Sequence, residues 1–498
     1  MSDALTRLRS RLEDVHGLDA VTLLLGWDQM TFMPPAGTLL RARHLGLLQR
    51  LGHEKLIEPE TGRLLEELRP VEDSLDPDSD DAALIRQARR RYEKAVQVPP
   101  ELTAEMIWAA TESMPIWVEA KASSNFEHFL PALERNLELR LRYIECFEPH
   151  EEPYDILLDD FEPEMVTAKV RRIFDEIKPE LMSLIEEQRG REVDDSFLTG
   201  DYAVERQVAL SREIVDLLGT RPGAWRVDPT EHPFAAGAGI DDIRITTHYY
   251  PDNLDSFFAT VHEYGHGLYE HQIPRAIESL PIGTGASLGL HESQSRLWEN
   301  LVGRGLPFWR FFYPRLRERF PEQLGDIELG RFHAAVNKVQ PSLIRVHADE
   351  VTYGLHVILR FELEQEMVNG RLDLRDLPQA WNAKMKEYLG IEVPDDARGV
   401  LQDMHWASGS IGYFSTYLLG TVMSVQIWER AAEDIGELDE LIERGEFGPL
   451  REWLGENVHA HGHKFSPQET LRRATGSTID AKPYLAYLKR KFSAPVAA

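Results

Sequence analysis

His262-Glu263-Tyr264-Gly265-His266 sets two imidazoles four residues apart, with a carboxylate directly after the first. On an α-helix that spacing puts His262 and His266 on one face, with Cβ atoms about 5–6 Å apart, so both rings can grip one Zn²⁺ at about 2.0–2.1 Å. Glu263 lies about 100° round the helix and cannot be a third ligand beside them. It can reach water held at an open coordination position and take its proton, the arrangement of a metal-dependent peptidase. The motif recurs by chance in chains rich in His and Glu. The decisive question is therefore a third ligand, since a catalytic zinc takes three protein ligands and keeps one position open.

Downstream, the stretch Ser287 to Asn300 carries Leu288, Leu290, Leu297 and then Leu301 at helical spacing, and Gly303 supplies a stop. Glu292 rides on that second helix. Pro274, Pro281, Gly283 and Gly285 make the connection rich in turn signals, able to fold the second helix back onto the first. The local pattern leaves Glu292 open between metal ligand and solvated surface carboxylate. Upstream, the β-branched and aromatic residues from Asp242 to Tyr250 predict a short strand. Pro251 breaks it, and Asp252 and Asn253 offer caps to a helix over 253–271. A strand entering a metal-binding helix could present its edge to a substrate peptide. Gly265 and Gly267 each cost about 1 kcal/mol of helix propensity, which implies close approach by another element or by substrate.

The 498 residues show no Gly/Ser/Pro-rich linker, so one large domain over 1–498, bilobed around a cleft, is expected. Amphipathic periodicity predicts helices over 2–16, 37–68, 81–95, 100–122, 124–147, 165–190 and 202–218, and more beyond 285. The fold class is therefore mainly α, with a small β element next to the metal helix. A formal charge of −29 argues against binding nucleic acid or an anionic membrane. No apolar run is long enough to span a bilayer, and the charged start MSDALTRLRSRLEDVHG lacks an export core, so a cytoplasmic location is expected. Cys146 is the only cysteine, which excludes intrachain disulfides and thiolate clusters and leaves His, Asp and Glu as ligands.

With these residues in view, the chain resembles the carboxypeptidase Taq family of zinc metallocarboxypeptidases. His-Glu-Tyr-Gly-His at 262–266 and His-Glu-Ser-Gln-Ser-Arg at 291–296 are similar to its two metal-binding segments. Four further segments match in the same order: His-Pro-Phe at 232–234, Asp-Ile-Arg-Ile-Thr at 242–246, the run from Ile344 to Tyr353, and Gly399 to Trp406. Similarity extends to Trp27–Pro35 and Tyr154–Asp160, and so to essentially the whole chain. The resemblance implies that Glu292 is the third ligand, that the helical fold bears a cleft, and that the protein is a homodimer. It also implies release of single C-terminal residues from peptides with broad specificity, weak action beside proline, and zinc as the metal, with cobalt able to substitute. Ser415 departs from the proline of many relatives, a change expected to alter loop stiffness rather than chemistry.

Peptide hydrolysis needs a base, an oxyanion stabiliser and, for an exopeptidase, a grip on the free carboxylate. Glu263 is assigned as base, passing its proton to the leaving amine. The segment Asp403–Tyr417 resembles the His-and-Tyr loops of related helical zinc peptidases and offers His405 and Tyr413 as carbonyl donors, with Tyr417 beside substrate. Arg345 is preferred for the carboxylate, on a helix continuing through Val351 and Leu355; its structural alternative is an ion pair with Asp349. Arg244 competes, with Asp242 as its structural partner. His232 could line the cleft, and His459, His461 and His463 are rejected as a second metal site, their expected fate being adventitious surface binding. A zinc oligopeptidase or peptidyl-dipeptidase, and a noncatalytic peptide-binding protein, are the alternative readings.

Overall fold

The computed structural model describes residues 3–493. Ser2, which opens the first expected helix, lies outside them. Among the described residues the chain is predominantly helical, with one three-stranded sheet. No helix among them is long and apolar enough to cross a membrane. Two compact units emerge, each assembled from separate stretches: one from the residues up to Val96, Asp194–Val336 and Ser424–Ile479, the other from Gln97–Val193, Asn337–Met423 and the residues from Asp480.

The first unit contains the sheet and the histidine pair. Its strands are β1 (Trp225–Pro229), β2 (Ala235–Gly237) and β3 (Ile243–Thr247). β3 is central, parallel to β1 and antiparallel to β2, with Arg244 opposite both Arg226 and Ala236. The strand expected over 242–250 thus forms over its central part, Ile243–Thr247. Its edges are both paired, however, so an incoming peptide cannot extend the sheet along β3 as its sequence suggested. After β3, Asn253 accepts a hydrogen bond from the Asp255 amide at 2.9 Å, and the helix Asp255–His271 begins.

The N-terminal helix runs over Asp3–Thr31, well past the expected end at residue 16. Its first half buries Leu5, Leu8, Leu12 and Val15 at helical spacing, in a core shared with Leu64, Leu65, Leu68, Leu84 and Ile85. Ile273, Ile277, Leu280 and Ile282, from the connection after the histidine helix, join the same core. That turn-rich segment is therefore anchored rather than loose. The helix expected over 37–68 is two helices, Thr38–Ile57 and Pro59–Glu72, because Pro59 lacks an amide hydrogen and starts a new first turn instead of continuing the old one.

The second unit is built around the helix Tyr353–Val368, fourteen of whose sixteen residues are buried. Such a helix is covered on every side, and its buried polar residues His356, Arg360, Glu364 and Gln365 lie within the unit. The hairpin Pro100–Ser123 and Phe126–Glu145 packs in the same unit, and Asn136 donates to the carbonyls of Trp406 and Ala407 at 3.0 Å each, fixing the path of the chain near His405.

Gly265 and Gly267 serve close approach within the protein. A Cβ at Gly265 would meet the Gln294 carbonyl oxygen at 2.5 Å and the Ser295 Cα at 2.7 Å, whereas at Gly267 it would meet Trp225 and Ile243 side-chain atoms. The first obstacle is backbone, which cannot rotate away. Gly265→Ala should therefore lower stability by about 2 kcal/mol, although helix propensity alone would raise it by about 1. Thermal and urea unfolding give the sign directly.

Candidate metal centre

Seventeen residues of helix from Asp255 to His271 carry His262, Glu263, His266 and Glu270 in successive turns. The helix is held at its waist by Tyr264, whose hydroxyl donates to the carbonyls of Leu218 and Gly219 at 2.9 and 3.0 Å. The second helix, Leu288–Arg296, is capped by Ser287, which accepts from the Leu290 amide at 2.9 Å. It then widens into a π-helical turn over Leu297–Gly303, a deviation often found at functional sites.

The two helices bring together the three residues the sequence singled out. Oε2 of Glu292 lies 3.6 Å from Nε2 of His262 and 3.4 Å from Nε2 of His266, and one potential ligand atom from each residue lies within 4.8 Å of the others. A tetrahedral ion with bonds of about 2.0–2.1 Å needs ligand atoms about 3.3–3.4 Å apart, and the two carboxylate–imidazole separations suit a zinc-sized ion. The other ring nitrogens are engaged: Nδ1 of His262 sits 2.9 Å from Oε2 of Glu299, and Nδ1 of His266 sits 2.7 Å from Nδ1 of His291. Both Nε2 atoms are thereby left to face Glu292.

Charge is concentrated here. Arg296 bridges Glu292 at 2.7 Å and Glu299 at 3.1 Å, and Arg304 reaches Glu299 at 3.4 Å. Burial pushes the Glu292 carboxyl up, but the charges of Arg296 and His262 overcome it and hold the group well below the ordinary range. The same competition, with Arg296 the main opposing charge, leaves Glu299 at about 2. Glu263 differs. Burial drives it up to about 7, with His262 opposing and the nearby carboxylates assisting, and its Oε2 is buried without a hydrogen-bond partner. A readily protonated carboxyl next to three side chains that could hold a metal ion has the chemistry of a proton acceptor.

The residues assigned to carbonyl and carboxylate recognition form a second group, in the second unit. His405 Nε2 lies 3.2 Å from the Tyr417 hydroxyl, and its ring lies 5.1 Å from that of Tyr413. Burial lowers His405 to about 4, keeping it neutral, and its Nδ1 is buried without a partner. Arg345 is buried with its guanidinium 4.9 Å from the Tyr417 ring centre and its Nη2 2.8 Å from Asp403. The expected helix does not include it: Arg345 opens a single turn to His347, and the helix begins at Tyr353. Nor does Asp349 pair with it, because that carboxylate accepts from the amides of Gln340, Val351 and Thr352. Asp403 also pairs with Arg360, so two guanidiniums share one carboxylate.

Arg244, in the first unit, forms a two-point pair with Asp242 at 2.8 and 2.9 Å and stacks 4.3 Å from the Trp27 ring centre. His232 is exposed. His459 is fully buried between Gln272 and Gln294, which corrects the expectation of a surface histidine cluster while leaving it outside any metal group. Ser415 is buried in the first turn of the helix Ser415–Ile435, so its expected influence falls on a helix entry. Sequence reasoning assigned no part to Glu299, Arg296, His291 or Glu270. Glu299 follows Glu292 by seven residues, almost two α-helical turns, and that shared face was the available signal.

Comparison with known proteins finds relatives that match nearly the full length of the chain. The model of the family described as Carboxypeptidase Taq (M32) metallopeptidase matches residues 7–492. The chain is 42% identical to Thermostable carboxypeptidase 1 of Thermus thermophilus, covering 96% of each chain, and 37% identical to Carboxypeptidase 1 of Bacillus subtilis, covering 96% of this chain and 95% of that one. Among solved structures, Pyrococcus furiosus carboxypeptidase superposes with a TM-score of 0.95 at 35% identity, and the M32 carboxypeptidase from Deinococcus radiodurans R1 with 0.94 at 37% identity. Each comparison covers 99% of both chains. The chain belongs to the carboxypeptidase Taq (M32) family of metallopeptidases and is, as such, a peptide-cleaving enzyme.

Proposed function

We propose that the protein is a zinc-dependent carboxypeptidase that releases single C-terminal residues from peptides with broad specificity, and that Co²⁺ can replace Zn²⁺. The observation that carries this reading is the spacing of His262, His266 and Glu292 around one point, beside a Glu263 carboxyl that is buried and unbonded. His262, His266 and Glu292 would hold a divalent ion, which would supply acidification of water and polarisation of a peptide carbonyl. Glu263 accepts the proton and returns it to the departing amine. His405 is neutral; with its Nε2 accepting from Tyr417, its Nδ1 carries the hydrogen that is offered, with the Tyr413 hydroxyl, to the developing oxyanion. Arg345 binds the substrate carboxylate, with Tyr417 alongside and Arg244 as the competing choice. The single cysteine suits a reducing cytoplasm, where such an enzyme would recycle peptides.

A second copy of the chain is the proposed partner. Val21, Leu23, Leu39, Leu40, Leu47 and Leu51 are exposed on the helices Asp3–Thr31 and Thr38–Ile57, Leu39 at 82% of its full area. Large apolar side chains left to solvent on two helices favour an interface, and a homodimer would cover them.

Digestion of an unstructured peptide, followed by mass spectrometry, should yield a ladder of single C-terminal losses that disappears on chelation and returns with Zn²⁺ or Co²⁺. Internal fragments or dipeptides would instead identify an oligopeptidase or peptidyl-dipeptidase. Glu263→Gln should reduce turnover by at least about 10²–10⁴-fold while the protein still takes up metal; an inert wild type that holds peptide tightly would point to a binding protein. Arg345→Met should raise KM about 10–100-fold for free peptides and erase the preference over C-terminally amidated ones, with Arg244→Met having the smaller effect. Light scattering should give twice the chain mass for wild type, and a Leu39→Glu/Leu47→Glu variant should run as a monomer.

A further inference from the structure

His266 Nδ1 lies 2.7 Å from His291 Nδ1, and His291 Nε2 lies 2.8 Å from Glu270 Oε1. A histidine that offers Nε2 to a cation carries its hydrogen on Nδ1, and a buried N–H of that kind requires an acceptor. His291 supplies one when its own hydrogen is on Nε2, where Glu270 accepts it. The reverse direction would turn the Nε2 lone pair of His291 against the Glu270 carboxylate. Only the first arrangement satisfies all three side chains, and it leaves the His266 Nε2 lone pair directed at Glu292.

The surroundings are shaped to this chain of rings. Glu270 is one turn beyond His266 on the same helix, and His291 directly precedes Glu292 on the other, so the link crosses between the two helices that supply the ligands. Glu270 also accepts from Thr284 Oγ1 and the Gly285 amide, each at 3.3 Å. A Cβ at Gly285 would meet His291 Cδ2 at 2.6 Å, so the absence of a side chain there makes room for the ring. Tyr269 packs against it, with ring centres 5.1 Å apart.

We propose that His291 and Glu270 are positioning residues for the metal ion, fixing the tautomer and the orientation of His266. The proposal rests on the metal-dependent reading above. Relative to it, the new element is a two-member relay on His266, distinct from the single carboxylate, Glu299, that engages His262.

Full-length protein, stripped of metal and shown folded by circular dichroism and melting, would be titrated with Zn²⁺ against a chromophoric chelator and separately loaded with Co²⁺. Wild type should bind one equivalent. His291→Leu should bind Zn²⁺ about 10–100-fold more weakly, and its Co²⁺ visible spectrum should shift because the ring that donates to the ion is no longer held. A folded His291→Leu protein with zinc affinity within about threefold of wild type and an unshifted cobalt spectrum overturns the proposal. Should that variant fail to fold, Glu270→Met, which leaves no oxygen to accept from His291, carries the test: weaker zinc binding supports the relay, and wild-type affinity overturns it. A wild type that takes up no ion sinks the metal-dependent reading itself, and the relay with it.

Discussion

The site depends on how closely two helices approach at Gly265. Because that residue has no side chain, the backbone at Gln294 and Ser295 occupies the space a methyl group would need. The same approach carries Glu292 into reach of both His262 and His266. A carboxylate buried without compensation would take up a proton. Arg296 prevents this by pairing with Glu292 and Glu299 together, and the π-helical turn gives the segment carrying Glu299 its path towards His262. Packing, backbone geometry and electrostatics thus converge on one carboxylate oxygen.

Much of this could be read from residue order because it follows from local periodicity. Four-residue spacing put the imidazoles together, and the strand, its proline break and the capped helix followed from short-range chemistry. Reading failed where the determinant was distant or geometrically unusual. β1 and β2 are short, and β2 consists of Ala235, Ala236 and Gly237, which carry no alternation to detect. Pro59, a first-turn residue, sits inside a longer periodic run that masks the break between the two helices. The partner of Arg345 stands 58 residues away at Asp403, whereas the local rule pointed to Asp349, whose oxygens are occupied by backbone amides. Glu299 was legible only as a residue on the same face as Glu292, because nothing in composition announces a π turn.

The second unit shows the complementary electrostatic problem. Arg345 and Arg360 are both buried, and both pair with Asp403. Burial would disfavour each guanidinium, but Asp403 holds Arg345 above its ordinary range, while Arg360 is lowered to about 10. Asp403 itself is kept far below the carboxylate range, burial being overcome by the two cations. Within these three groups, positive charge exceeds negative by one. Nearby, Glu364 accepts from the Tyr154 hydroxyl, the Trp406 ring and the Gly412 amide, tying the segment that follows His405 to the central helix.

An ion pair buried in balanced numbers is costly to assemble and has little affinity for anything further. Imbalance changes that. Around His262 and His266 the carboxyl groups of Glu263, Glu292 and Glu299 outnumber the guanidiniums of Arg296 and Arg304, an arrangement that suits a divalent cation. Around Asp403 the surplus is positive, and the donors of Arg345 and Arg360 are held desolvated and oriented by their shared carboxylate. In each unit folding has already met the desolvation cost of the buried charges, and the imbalance that is left follows from how the ion pairs are partnered. Sequence motifs mark where the surplus charge lies, but its sign and size come from partners that only the folded chain assembles.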